Sequence, residues 1–166
     1  MMTYKYFLSL GSNIEPCLLF LNKACVSLNS IGNILQKSSI YKTQAWGEKN
    51  QPDFLNAVIE FCTDLAPNDL LKNIKRIENS IGRTSSVRWG PREIDIDILF
   101  SDNIIINKQI LKIPHVHFKN RNFVLVPMAE LNGDYRPEKN GMSIKYFLNN
   151  KTDQSLVRQT NINWLI

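Results

Sequence analysis

Residues 92–98 read Arg92-Glu93-Ile94-Asp95-Ile96-Asp97-Ile98. Side chains of a β-strand alternate between its two faces, so the spacing predicts a strand from Ile94 to Phe100. Ile94, Ile96 and Ile98 enter a core, while Asp95 and Asp97 share the opposite face. The two aspartate Cα atoms then lie about 6.6 Å apart, at ~3.3 Å per residue. Carboxylates at that separation suit one or two hard cations, and Mg²⁺ is commonly held by one or two carboxylates together with substrate phosphates. A solvated strand face is the plainer reading of the same residues.

Immediately upstream lies an arginine-rich loop, Arg83-Thr84-Ser85-Ser86-Val87-Arg88-Trp89-Gly90-Pro91-Arg92. Arginine beside paired acids is either a salt-bridge partner or a clamp for phosphate oxygens, which its planar fork matches. Three arginines exceed what two aspartates require, so acids and arginines together point to a metal-bound polyphosphate. Before the loop, Leu70, Leu71, Ile74, Ile77, Glu78 and Ile81 have helical spacing, with Pro67 at the start and Gly82 at the end. Further upstream, Ile34 to Thr43 and Phe54 to Thr63 read as strands. The polar segment between them, Gln44 to Asp53, is long for a hairpin and is a candidate binding loop.

At the N-terminus, Tyr4, Tyr6, Leu8 and Leu10 alternate, which predicts a strand buried on one face and broken by Gly11-Ser12-Asn13. Leu18, Leu21, Cys25, Leu28 and Ile31 follow at helical spacing, with Pro16 in the first turn and Gly32 as the stop. The order strand, helix, strand, strand, helix, strand predicts an α+β fold, the ferredoxin-like βαββαβ sandwich. Short C-terminal elements are expected at Ile104 to Ile106 (strand), Pro127 to Leu131 (helical turn) and Ser143 to Asn149 (helix). One domain, residues 1–166, accounts for the chain.

The 166 residues carry 20 Lys and Arg against 15 Asp and Glu, a formal charge of +5. That excess is local: Lys72 to Arg92 contains six basic residues and one acid, and the remainder is balanced. Cys17, Cys25 and Cys62 form no Cys-x-x-Cys pair and read as small buried thiols of a reducing cytosol. Together with a first segment that suits a strand better than a signal peptide, this predicts a cytoplasmic protein. No apolar run approaches the ~18 residues of a membrane span, so neither membrane nor nucleic acid is expected as a partner. An RNA-binding sandwich of the same topology is disfavoured because Asp95 and Asp97 would repel a phosphate backbone.

The seven glycines include no Gly-x-Gly, and none precedes a lysine, which excludes a Rossmann fingerprint and a P-loop. Asp53-Phe54-Leu55-Asn56 and Asn120-Arg121-Asn122-Phe123 pair aromatic rings with amides, a combination suited to stacking on a flat heterocycle and bonding its edge. His115, after Pro114, is a candidate phosphate or nucleotide contact. No arrangement for nucleophilic hydrolysis is present, so the chemistry reads as group transfer.

These residues, with Gly11-Ser12-Asn13, Gln51-Pro52-Asp53, Arg76-Ile77-Glu78 and the run from Arg88 to Ile98, resemble the 6-hydroxymethyl-7,8-dihydropterin pyrophosphokinase family. The resemblance extends from about residue 4 to 131. It implies a folate-biosynthesis transferase moving the β,γ-pyrophosphate of ATP to the pterin hydroxyl and releasing AMP. It further implies that Asp95 and Asp97 bind two Mg²⁺ and that Arg83 and Arg92 are catalytic. Pterin contacts would come from Thr43, Ala45, Trp46, Phe54, Asn56 and Phe123. Glu78, Arg83, Trp89, Arg92, Ile98, His115 and Arg121 would hold ATP, in a monomer with ATP and the pterin as its only partners. Against the family pattern, the Arg83–Arg88 loop is one residue short, with Thr84-Ser85 where a second arginine is common. Val116 replaces an aromatic and Trp46 a smaller apolar residue, so weaker nucleotide packing is expected.

Overall fold

The computed structural model describes residues 3–45, 47, 50–84 and 90–165. Its main elements are β1 (Tyr4–Ser12), α1 (Cys17–Asn29), β2 (Asn33–Lys37), β3 (Tyr41–Thr43), β4 (Phe54–Thr63), α2 (Pro67–Ile81), β5 (Asp95–Ser101), β6 (Ile106–Asn107), β7 (Lys112–Ile113), α3 (Asn122–Asn132), α4 (Ile144–Asn149) and β8 (Val157–Gln159). A six-stranded sheet runs β5-β1-β4-β3-β8, with β2 paired farther along β4, and its pairings are antiparallel. The small β6–β7 ladder stands apart.

Alternation along the three central strands divides the core in two. Tyr6, Leu8 and Leu10 of β1, Ile59 and Phe61 of β4, and Ile96 and Ile98 of β5 pack with Leu21, Leu28, Leu70 and Ile74 of α1 and α2. The opposite face carries Phe7, Val58, Leu99 and Phe100, covered by Val124, Leu125 and Met128 of α3 and Ile144 of α4. β1 was expected to be buried on one face; it is buried on both from Tyr6 onward, because α3 and α4 close the second. Their cover reaches only part of that face. Beyond it, in register across the sheet, lie Asn56–Gly11–Asp95 and Ser9–Asp97.

Several boundaries differ from the sequence expectation for identifiable reasons. The expected strand Ile34 to Thr43 is split into β2 and β3, since Ser39 leaves the β4 ladder to give its N–H and hydroxyl to the Glu130 carboxylate, which also accepts from Tyr41 Oη. Pro16 precedes α1, which ends at Asn29 with Ser30 as its cap, short of Gly32. Gly32 serves packing instead: a Cβ there would sit 2.4 Å from Phe61 Cζ and 2.5 Å from the Cys62 carbonyl oxygen. Gly82 does end α2, with φ of 114° in the left-handed region that glycine tolerates.

The expected turn Pro127 to Leu131 is the second half of the longer α3, in which Pro127 is internal and buried. Burial of Val124, Leu125 and Met128 around it offsets the backbone bond that proline removes. The strand expected at Ile104 to Ile106 is displaced to β6. The helix expected from Ser143 begins one residue later as α4, with Ser143 Oγ accepting from Tyr146 N at 3.3 Å. β8 was not anticipated. All three cysteines are free, Cys17 and Cys25 buried and Cys62 half-buried. Among the described residues no helix is long and apolar enough to cross a membrane.

Gly32→Ala is expected to cost about 1–3 kcal/mol through the clash with Phe61 and the β4 backbone, measured as a lower urea midpoint with unchanged slope.

Candidate active site

The uncovered end of the second sheet face is a cleft open to solvent. Ser9 and Gly11 of β1 form its floor, flanked by Phe54 and Asn56 of β4 and by Asp95 and Asp97 of β5. Thr43, Gln44 and Gln51 close one side, and Gly90 and Arg92 another. Arg121 and Phe123 rise from the start of α3 opposite, with the guanidinium 5.4 Å from the ring centroid. Gly11 makes this floor possible, since a Cβ would lie 2.7 Å from Asn56 Oδ1. Asn56 in turn donates to Thr43 Oγ1 at 2.6 Å, which orients its amide in a buried setting.

The carboxylates are held by cations. Arg83 Nη1 lies 2.9 Å from Asp95 Oδ1, and Arg92 Nη1 2.5 Å from Asp95 Oδ2. Charge-assisted bonds of this length are the strong kind. Beneath them Glu78, buried, pairs with Arg83 at 2.5 Å and Lys75 at 2.8 Å, and accepts from Ile96 N at 2.8 Å. Glu78 therefore fastens α2 to β5 and sets the root of Arg83.

Asp97 Oδ2 faces Arg121 Nη1 at 3.3 Å and His115 Nε2 at 3.8 Å. Burial pushes the Asp97 carboxyl up, but His115, Arg121, Lys75 and Arg92 together outweigh it and leave its pKa below the ordinary value. For His115 burial wins over the attraction of Asp97 and lowers its pKa from 6.5. At neutral pH the imidazole is uncharged, so Arg121 is the lasting cation beside Asp97. His115 Nδ1 accepts from His117 N at 3.2 Å, which leaves the proton on Nε2, facing the cleft acids.

Asn13 ties the cleft's two loops together. Its Oδ1 accepts from Arg92 N at 2.8 Å and its backbone N donates to Arg92 O at 3.1 Å. Its Nδ2 donates to Gln51 Oε1 and Pro52 O, both at 3.0 Å. One buried amide thus fixes Gln51 and Pro52 against the strand entry that carries Arg92.

Of the residues singled out from sequence, Thr43, Phe54, Asn56, Arg92, Asp95, Asp97, Arg121 and Phe123 line this cleft, and Arg83 and His115 contact its acids. Ala45 is buried and does not line it. Two other residues expected at the nucleotide have side chains engaged within the protein. Ile98 points into the α1–α2 core by strand alternation, and Glu78 is buried under Arg83. Trp46, Trp89 and the shortened stretch from Ser85 to Arg88 lie outside the described residues. Asn13 and Gln51 were not singled out as site residues; the turn after β1 and the long polar segment were the available signals.

Residues 7–133 match the profile of the 7,8-dihydro-6-hydroxymethylpterin-pyrophosphokinase (HPPK) family. The chain belongs to the HPPK family. Relatives named 2-amino-4-hydroxy-6-hydroxymethyldihydropteridine pyrophosphokinase include one from Aquifex aeolicus, 40% identical over 75% of this chain and 78% of the relative. Another, from Haemophilus influenzae, is 40% identical over 77% and 81%. The fold is also that of the Plasmodium falciparum HPPK-DHPS crystallised with pterin and p-hydroxybenzoate, with a TM-score of 0.70 at 19% identity, covering 90% of this chain and 42% of that one. HPPK enzymes are transferases, and the relatives include a folate synthesis bifunctional protein of Pisum sativum, 38% identical over 76% of this chain and 25% of its own length.

Two outcomes are expected of this HPPK site. Asn13→Ala loses about 2 kcal/mol by stranding buried partners and speeds amide exchange at Arg92, read by hydrogen-exchange mass spectrometry. Because the folded-state pKa of His115 is depressed, its contribution to stability is present above pH 6.5 and is lost as pH falls through the folded value. Urea midpoints across that range should therefore fall less steeply for His115→Asn than for the wild type.

Proposed function

We propose that this chain transfers the β,γ-pyrophosphate of ATP to the hydroxymethyl oxygen of 6-hydroxymethyl-7,8-dihydropterin, releasing AMP. The observation that carries the reading is one cleft in which a stacking and amide wall meets two carboxylates and three guanidinium groups. Phe54 and Phe123 offer faces for the pterin ring, and Asn56, oriented by Thr43, offers its edge a donor and an acceptor. The reacting hydroxyl would then project toward Asp95 and Asp97.

The donor set suits Mg²⁺: two hard carboxylates lie on one strand face, and no group of three or more acidic, histidine or cysteine side chains is placed to hold a softer metal among the described residues. We assign two ions to Asp95 and Asp97; bound there they would neutralise triphosphate charge and lower the pKa of the attacking hydroxyl. The remaining work falls to the protein's own groups. Each arginine has five N–H donors, more than Asp95 can accept from Arg83 and Arg92 together. Arg92 Nε is buried and without a hydrogen-bond partner among the described residues, a donor that suits a phosphate oxygen. Arg83, rooted on Glu78, is aimed from the other side of Asp95, so the two arginines can grip the transferring group from both flanks. His115 Nε2–H and Arg121 add donors near Asp97.

We further propose a monomer acting as a single domain of ferredoxin-like type. Three free thiols are consistent with a reducing cytoplasm.

Incubation with MgATP and the pterin alcohol should give AMP only when the pterin is present; ADP, or no turnover by folded protein, would contradict the assignment. Asp97→Asn should abolish turnover while retaining the wild-type circular dichroism spectrum. Arg83→Ala should lower kcat about a hundredfold while ATP affinity changes by less than about threefold, if the arginine acts mainly on the transition state.

A further inference from the structure

Arg121 and Phe123 belong to the first turn of α3, yet that turn lacks a cap of its own. The residue at the N-cap position is Arg121, whose side chain accepts no bond and is committed to Asp97. The cap comes from 31 residues downstream: Asp153 Oδ2 accepts from Asn122 N at 2.8 Å. Asn122, buried, returns the contact by donating through Nδ2 to Asp153 O at 2.9 Å and Ser155 O at 3.0 Å. Asp153 is itself held in place, accepting from Ser155 N at Oδ1 and Ser155 Oγ at Oδ2, both at 2.8 Å. A carboxylate at a helix N-terminus both satisfies an orphan N–H and meets the positive end of the helix dipole.

Just beyond, β8 pairs with β3, placing Val157 opposite Thr43. Thr43 is the residue that orients Asn56. The stretch from Asp153 to Val157 therefore joins the two walls of the cleft, α3 on one side and β3 on the other. It lies outside the 7–133 region matched to the family.

We propose that Asp153 is a positioning residue for the reaction: through Asn122 it fixes Arg121 and Phe123 opposite Thr43 and Asn56, and so sets the width of the pterin slot. This rests on the pterin reading given above. It also gives the C-terminal segment a role that neither core explains, since Asp153 and Ser155 make polar contacts to one buried amide.

The test is pterin affinity, followed by pterin fluorescence in the presence of a non-hydrolysable ATP analogue and Mg²⁺. Asp153→Ala should raise the pterin Kd about tenfold, because small misplacements of positioning groups are expensive. Asp153→Asn, which keeps an acceptor for Asn122 N, should restore most of it. Trp164→Phe is the control: it removes the bond from Trp164 Nε1 to Ser38 O at the far end of the same segment and should leave Kd unchanged. Asn122→Ala, which keeps the backbone bond, should raise Kd in the same direction and serves if Asp153→Ala does not fold. An unchanged Kd in Asp153→Ala, or an equal rise in Trp164→Phe, overturns the proposal. Wild-type protein that does not bind the pterin overturns the functional reading and this inference with it.

Discussion

Alternation along β5 governs the site. Ile96 and Ile98 can be buried against α1 and α2 only if Asp95 and Asp97 emerge on the opposite face, and the antiparallel register with β1 sets those acids beside Gly11 and Ser9. A one-residue slip would bury two carboxylates and expose the isoleucines, so the hydrophobic core and the acidic pair fix each other's register. The cleft is then the part of the second sheet face that α3 and α4 leave uncovered. Small residues in β1 keep its floor low, and the rims come from segments that must be fastened separately.

Electrostatics explains why an acidic pair persists at the end of a partly buried strand. Each carboxylate is met by guanidinium groups, and Glu78 anchors Arg83 from below. Part of the basic excess between Lys72 and Arg92 is therefore already engaged within the protein. Lys75 and Arg83 meet Glu78, and Arg83 and Arg92 meet Asp95, before any substrate is considered. Such a network preorganises donors around the position proposed for a polyanion, which is where electrostatic catalysis gains most. Its rigidity depends on neutral contacts as much as on charges: Asn13 clasps two loops, and Asn122 joins α3 to the C-terminal segment.

Much of this was legible in the sequence because it follows from period and type. Strand alternation located Asp95 and Asp97, and β4 was bounded correctly from Phe54 to Thr63. The aromatic and amide patches at Phe54–Asn56 and Arg121–Phe123 meet in one cleft although nearly seventy residues separate them in the chain. What was not legible depended on tertiary partners. The β2–β3 break requires Glu130, which lies in another element. Pro127 concealed the length of α3, because a local rule cannot see the second core that offsets it. Glu78 and Ile98 carry nucleotide roles by resemblance alone; the side-chain contacts that the structure shows for them are with Arg83 and with the first core. Asp153, outside the matched region, had no local signature at all.

Transfer would depend on the cation site proposed at Asp95 and Asp97. It is tested most directly by counting bound metal, using Mn²⁺ as a paramagnetic stand-in for Mg²⁺ with a non-hydrolysable ATP analogue and the pterin present. Electron paramagnetic resonance should register two Mn²⁺ per chain in the wild type and fewer in Asp95→Asn and Asp97→Asn, with all three proteins folded. A stoichiometry that is the same in all three would contradict it.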